Sequence, residues 1–297
     1  MEYIPAKKIV SGYMEKNSWF GLNYNMNIYK GCCHGCIYCD SRSSCYNIID
    51  FDRVRAKEKS TEIIEKDLKS KKKKGVIGIG AMSDPYNPFE KKYLLTREAL
   101  KLLDKYNFGI SIATKSSLIT RDIDILKKIQ EHSEVLIKIT ITTYDDNLCK
   151  KIEPNVSHSS ERFKAIKELS DNGIDVGVLL MPILPFINDS EENIINIIRK
   201  AHECGAKFIF SYGLGVTLRH NQREHFYNKL KEIYGNDEIV KKYIDTYGEK
   251  YECPPMNSSK LWKVFKEECE KYGLLYKMDD IIKDYKSRYE KVQMSLF

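Results

Sequence analysis

The chain has no long apolar run. Its longest, VGVLLMPILPFI, is too short to span a bilayer and is broken by two prolines, which excludes a membrane-spanning helix. The first residues, MEYIPAKKIVSGY, hold no uninterrupted apolar segment, so no secretory signal is expected and a cytoplasmic location is. A strong charge of one sign is also missing: 49 basic residues stand against 42 acidic ones, a net +7 over 297 residues. That balance suits an anionic partner such as nucleic acid without singling one out. Much of the excess is lysine, and KSKKKKG at 69–75 reads as a solvated helix end. No solenoid-type repeat is present. Cysteine is scarce except in one place: of nine, Cys32, Cys33, Cys36 and Cys39 crowd into YKGCCHGCIYC. In a reducing compartment such a cluster reads as a metal site rather than a disulfide framework.

What is missing around these cysteines narrows the metal. Structural zinc takes four N/S ligands, usually from two separated pairs, and no distant C-x-x-C or H-x-x-x-H accompanies them. A zinc site would have to bunch Cys33, Cys36, Cys39 and Cys45, or draw in His34. A bacterial ferredoxin run needs a fourth cysteine followed by proline, but position 43 is Ser43 and no proline follows. There remains Cys32, Cys36 and Cys39, spaced C-x3-C-x2-C. Three thiolates on a four-iron cube leave one iron for a substrate. Cys33 competes with Cys32 for the first position.

From Gly75 onward, short β-rich runs alternate with helical patterns, the signature of βα units and a parallel sheet. VIGIGAM, FGISIATK, EVLIKITITT, IDVGVLLMPILP and KFIFSYGLG read as strands, with NMNIYKG before the cysteines as a first. Between them, TREALKLLDKY opens on Thr96, TRDIDILKKIQEH has Thr120 as its expected cap, SSERFKAIKELSDNG stops at Asn172-Gly173, and SEENIINIIRKAHECG is capped by Ser190. The expected fold class is α/β, a partial (β/α)6 TIM-type barrel of parallel strands, with an open doubly wound sheet as the other arrangement. Either gathers ligands at the carboxyl ends of its strands. The expected domains are an N-terminal extension (1–25), the barrel core (26–217) and a helical C-terminal extension (218–297). The extension holds nine of the 20 tyrosines, read as amphipathic helix faces rather than base-stacking platforms.

The cysteine spacing, with Tyr38 just before the last cysteine, resembles the radical S-adenosylmethionine superfamily. Together with AMSDPYNPFEKKYLLTR, ATKSSLITRD, IEPNVSHSSERFKAIKELSDNGI and MPILPFIND it resembles the spore photoproduct lyase-like branch over most of the chain. The resemblance implies a [4Fe-4S] cluster on Cys32, Cys36 and Cys39. S-adenosylmethionine would bind the open iron and be cleaved by an electron from reduced flavodoxin or ferredoxin, giving a 5′-deoxyadenosyl radical that takes hydrogen from a substrate. It further implies Ser83, Asp84, Lys115, Thr142 and Thr143 as cofactor-binding residues at strand ends. Two departures stand out. The true lyase resembles this pattern but has a hydrogen-donating cysteine at the position of Ala81, and a tyrosine at that of Asp40. Reversal of thymine dimers is therefore not expected, whereas another hydrogen abstraction, first of all on nucleic acid, is. The competing readings are a non-catalytic zinc or iron–sulfur nucleic-acid-binding module, and a radical enzyme acting on protein or small metabolites.

The chain ends in QMSLF. Gln293, Met294, Ser295, Leu296 and Phe297 resemble the motif by which bacterial repair and replication proteins dock on the DNA sliding clamp, a polar rim residue followed by an apolar pair. A tail folded back on its own domain is the alternative.

Overall fold

The computed structural model describes residues 1–13 and 19–293, without the side chains of 290–293. In chain order the first half comprises β1 (Glu2–Ile4), β2 (Val10–Gly12), β3 (Tyr24–Met26), β4 (Tyr29–Lys30), β5 (Arg55–Lys57), α1 (Ser60–Lys69), β6 (Val76–Ile79), α2 (Glu90–Tyr93), α3 (Leu95–Lys105), β7 (Gly109–Thr114), α4 (Ile123–Gln130) and β8 (Val135–Thr140). There follow α5 (Asp146–Ile152), α6 (Ser159–Asp171), β9 (Val176–Leu179), α7 (Glu191–Glu203), β10 (Phe208–Phe210), β11 (Val216–Thr217), α8 (Gln222–Tyr234), α9 (Glu238–Tyr247), β12 (Glu252–Cys253), α10 (Ser258–Lys271) and α11 (Met278–Gln293).

The main sheet runs β10-β9-β8-β7-β6-β3-β2. Its members β3, β6, β7, β8, β9 and β10 are parallel and adjacent in chain order, and β2 closes the edge antiparallel. Each crossover therefore advances one strand in one direction, which is the construction of a partial TIM-type barrel. Ile77, Ile79, Ile110, Ile112, Ile137, Ile139, Val176 and Val178 turn outward into the core beneath the helices. The other face, alternate by the two-residue period of a strand, looks into the barrel. There Phe20, Leu22, Phe208, Phe210 and, from α11, Ile281 and Tyr285 fill one end.

The expected first strand is two. Tyr24–Met26 belongs to the barrel, whereas Tyr29–Lys30 pairs antiparallel with β5 in a small separate sheet. Pairing with Arg55–Lys57 draws the chain off the barrel before the cysteines begin. Two caps also differ from expectation. Helix α3 starts at Leu95, after Leu94 in the left-handed region, because the Thr96 hydroxyl donates to the Pro85 carbonyl (2.7 Å) instead of capping. Thr120 lies inside the 3-10 turn Ser117–Asp122 leading to α4; Ser116 caps that turn, accepting from the Leu118 N–H (3.3 Å). Ser190 caps α7 as expected, accepting from the Asn193 N–H at 3.1 Å. Past the barrel, β11 pairs with β12, and Leu261, Phe265 and Cys269 of α10 join the main core. No described helix is long and apolar enough to cross a membrane.

Candidate functional site

The cysteine loop runs from β4 to β5 and is shaped by backbone rather than by regular structure. Gly31 and Gly35 have φ of +80° and +70°. A Cβ on Gly31 would sit 2.5 Å from the Arg53 carbonyl oxygen, so only glycine fits there. The loop is then tied down on both sides. The Cys32 N–H donates to Phe51 O (2.8 Å) and the Ile37 N–H to Ile152 O (3.0 Å). Asn155 holds two carbonyls, its N–H donating to His34 (3.1 Å) and its side-chain amide to Cys33 (3.0 Å).

Within this loop Cys32, Cys36 and Cys39 are electrostatic neighbours. Charge on Cys39 bears on both of the others, and charge on Cys32 bears on Cys36. Cys33 instead feels Asp84 and Asp52, and its side chain packs against the main core. Burial pushes the Cys32 thiol up to about 12 and raises Cys36 as well, although the Lys115 charge opposes the latter. Such thiols keep their protons unless a cation replaces them. Among the described residues no three His, Cys, Asp or Glu side chains are set around a single metal ion. A cube takes each thiolate on a different iron, so its ligands need not converge on one point.

The strand ends surround this loop. Ser83, beyond β6, donates its hydroxyl to Gly31 O (2.7 Å), directly before Cys32. Asp84 is committed inward. It accepts from the Tyr86 N–H (2.9 Å), the Thr114 hydroxyl (2.7 Å) and the Lys115 N–H (2.8 Å), and so joins the ends of β6 and β7. His34 lies 3.5 Å from Asp84, and burial lowers its pKa from the ordinary histidine value despite that carboxylate. Lys115 reaches over the Tyr38 ring, with its Nζ 5.7 Å from the centroid. Burial works against its charge, but Cys36 and Glu153 outweigh burial and hold it above the usual lysine range.

Beyond β8, Thr142 and Thr143 part company. Thr143 is a turn residue: its hydroxyl accepts from the Asp145 N–H (3.2 Å) and its carbonyl from Ser159 (2.7 Å). Thr142 is fully buried, and among the described residues its hydroxyl has no partner; the same holds of the buried Ser211 hydroxyl just past β10. Two unpaired buried hydroxyls at the ligand-binding end of a barrel are the kind of groups a polar ligand satisfies. With the Lys115 cation, the buried Cys36 thiol and the half-buried Cys32 and Cys39 thiols, they fit a metal cluster carrying an amino-acid-like ligand.

Behind the loop lies a network that the sequence reading did not single out. Tyr38 donates to Glu153, and Glu153 pairs with Arg162, both charges being fully withdrawn from solvent. Arg162 also donates to Thr140 O (2.7 Å) and Ser157 O (2.7 Å). The available signal was Arg162 itself, at helical spacing with Ile166 and Leu169 on the apolar face of α6. The two positions that depart from the lyase pattern are both informative. Ala81 is exposed and lines a cavity inside the barrel. Asp40 accepts from Tyr46 (2.8 Å) and pairs with Arg219 (3.0 Å), tying the cysteine loop to the chain beyond β11.

The family model of the Radical SAM superfamily matches residues 26–198. An uncharacterised protein of Methanocaldococcus jannaschii is 34% identical over 233 residues, 76% of this chain and 84% of that one. An uncharacterised protein of Mycobacterium tuberculosis is 25% identical over 242 residues, 79% of this chain and 70% of that one. Among solved structures, a spore photoproduct lyase variant superposes with a TM-score of 0.66 at 12% identity, covering 92% of this chain and 81% of that one. Spore photoproduct lyase complexed with dinucleoside spore photoproduct gives 0.64 at 12% identity, over the same shares. At such identities the likeness is one of fold.

Proposed function

Because the chain belongs to the radical S-adenosylmethionine superfamily, we propose that Cys32, Cys36 and Cys39 hold its [4Fe-4S] cluster and that the fourth iron takes S-adenosylmethionine. The observation that carries this reading is that Cys32, Cys36 and Cys39 lie together in one glycine-shaped loop, while the Cys33 side chain packs away against the main core. The cluster and cofactor, when bound, supply reductive cleavage of the sulfonium to a 5′-deoxyadenosyl radical that abstracts hydrogen from the substrate.

The protein's own residues do the rest. Lys115, kept cationic beside Cys36, is suited to the carboxylate of the cofactor. The Thr142 and Ser211 hydroxyls, without a partner among the described residues, offer it hydrogen bonds. Ser83 fixes the loop through Gly31, and Asp84 aligns the Lys115 backbone; in this reading both position the site rather than touch the cofactor. Thr143, spent on its turn, supports the same wall. Reduced flavodoxin or ferredoxin is the electron donor of this scheme.

The proposed substrate is nucleic acid. The mild basicity and the fold shared with a lyase whose complex holds a dinucleoside lesion support it. The pentapeptide Gln293, Met294, Ser295, Leu296 and Phe297 supports a role at replicating or repaired DNA through the sliding clamp; it lies outside the described residues apart from the Gln293 backbone at the end of α11. Deleting it is expected to abolish clamp binding and leave iron content unchanged; unaltered clamp binding ends that part of the proposal. For the core claim, anaerobic Cys32→Ala protein is expected to lose its iron and its production of 5′-deoxyadenosine, while Cys33→Ala keeps both. The reverse result would falsify the ligand assignment. Deuterium transfer from labelled single-stranded DNA into 5′-deoxyadenosine tests the substrate.

A further inference from the structure

The turn that carries Cys36 and Cys39 is closed by a backbone bond, the Cys39 N–H donating to Cys36 O at 3.2 Å. The rotation of the peptide between Tyr38 and Cys39 decides where the Cys39 side chain points. That peptide is planar, so its carbonyl and its N–H turn together. The carbonyl end is held from far along the chain. Gln222, the first residue of α8 and fully buried, donates its side-chain amide to Tyr38 O at 3.1 Å. Among the described residues no other group donates to that carbonyl. The amide oxygen of Gln222 accepts in turn from the Arg219 N–H at 3.0 Å, so the side chain is fixed at both of its polar atoms.

An amide suits this place because it accepts from one group while it donates to another. The cations beside it on the chain are committed elsewhere. The Arg219 guanidinium meets Asp40 and Tyr251, and that of Arg223 donates to the carbonyls of Leu218, Gly248 and Lys250. Packing backs the bond: Cys36 and Tyr38 share an apolar cluster with Leu218 and with Phe226 and Leu230 of α8. Without the Gln222 amide the buried Tyr38 carbonyl has no donor, and its peptide gains by rotating toward another. We propose that Gln222 is a positioning residue for the cluster, reaching from the helical extension to fix the Tyr38–Cys39 peptide and with it the direction of the Cys39 thiolate. This rests on the reading of Cys36 and Cys39 as cluster ligands and deepens it, making the chain beyond residue 217 part of the cluster site.

The test compares full-length, anaerobically reconstituted protein with its Gln222→Met and Gln222→Glu variants. Iron release to bathophenanthroline is read as a ratio to the native protein at the same pH. Gln222→Met removes both hydrogen bonds and is expected to release iron roughly tenfold faster. Gln222→Glu keeps the shape and the bond from Arg219. Protonated, its carboxyl can still donate to Tyr38 O; ionised, it sets a negative charge against that oxygen, and burial favours the protonated form. Its ratio is therefore expected to stay near one at about pH 6 and to climb roughly tenfold by about pH 9. A role confined to starting α8 would leave the Gln222→Glu ratio unmoved by pH. A pH-independent ratio, or native rates in Gln222→Met, overturns the assignment. The two pH values of Gln222→Glu decide the matter even where Gln222→Met does not fold. Native protein that takes up no iron brings down the cluster reading itself, and is thereby told apart from a failure at Gln222 alone.

Discussion

Glu153 and Arg162 are both fully buried and hydrogen-bonded, an arrangement that costs desolvation and is recovered only while both partners stay. Arg162→Met takes the paired charge from the buried Glu153 carboxylate, leaving it Tyr38 and the more distant Lys115, and is expected to cost about 3 kcal/mol in denaturant unfolding of cluster-free protein. Adding Glu153→Gln should restore part of that, because a neutral amide can still meet Tyr38. Failure of the second change to recover stability would place the loss in packing instead. Lys138, buried inside the barrel, carries the opposite sign. Its folded-state value of about 7 lies below the ordinary 10.5, so the unfolded chain binds more protons between those limits and this group's penalty is full below pH 7. Lys138→Met is therefore expected to stabilise by a few kcal/mol at pH 7, an advantage that shrinks as pH rises toward 10.5. Unfolding curves at pH 7 and 9.5 measure it; a pH-independent difference removes the argument.

Between residue and fold, the decisive element is the cysteine loop, which has almost no secondary structure of its own. Its shape comes from glycines and borrowed hydrogen bonds, so substitutions there should release iron before they unfold the barrel. Gly31→Ala forces a Cβ to 2.5 Å from a carbonyl oxygen at a φ of +80°, and is expected to abolish cluster assembly with secondary structure retained. Ser83→Ala loses one buried bond, about 1 kcal/mol, and should slow iron retention rather than prevent it. Iron content and circular dichroism of the two variants, compared side by side, check the ordering. The spacing of Cys32, Cys36 and Cys39, proposed above as the cluster ligands, could be read directly because an interval is written in a sequence. That Asp84 faces inward and Thr143 closes a turn could not, since a strand-end polar residue can serve a ligand or the backbone and only its neighbours decide which.

At the scale of the molecule, the barrel and the chain after it share a core. Helix α10 contributes Leu261 and Phe265 to the packing beneath the barrel helices, and α11 puts Ile281 and Tyr285 against Phe20. A chain cut after residue 217 exposes these surfaces and is expected to aggregate, which sedimentation of the expressed fragment reports. A soluble, folded 1–217 fragment would show the contacts to be dispensable. The βα alternation, the parallel six-strand core and the cysteine spacing were determined by the sequence alone, because hydrophobic period and ligand interval are local properties of a chain. What only the tertiary structure decided is which polar groups are buried and what each of them meets there. The Glu153–Arg162 pair, the unpartnered Thr142 and Ser211 hydroxyls and the amine of Lys138 inside the barrel each depend on strand register and on residues distant in sequence. Burial, which sets their chemistry, exists only once the chain has closed around them.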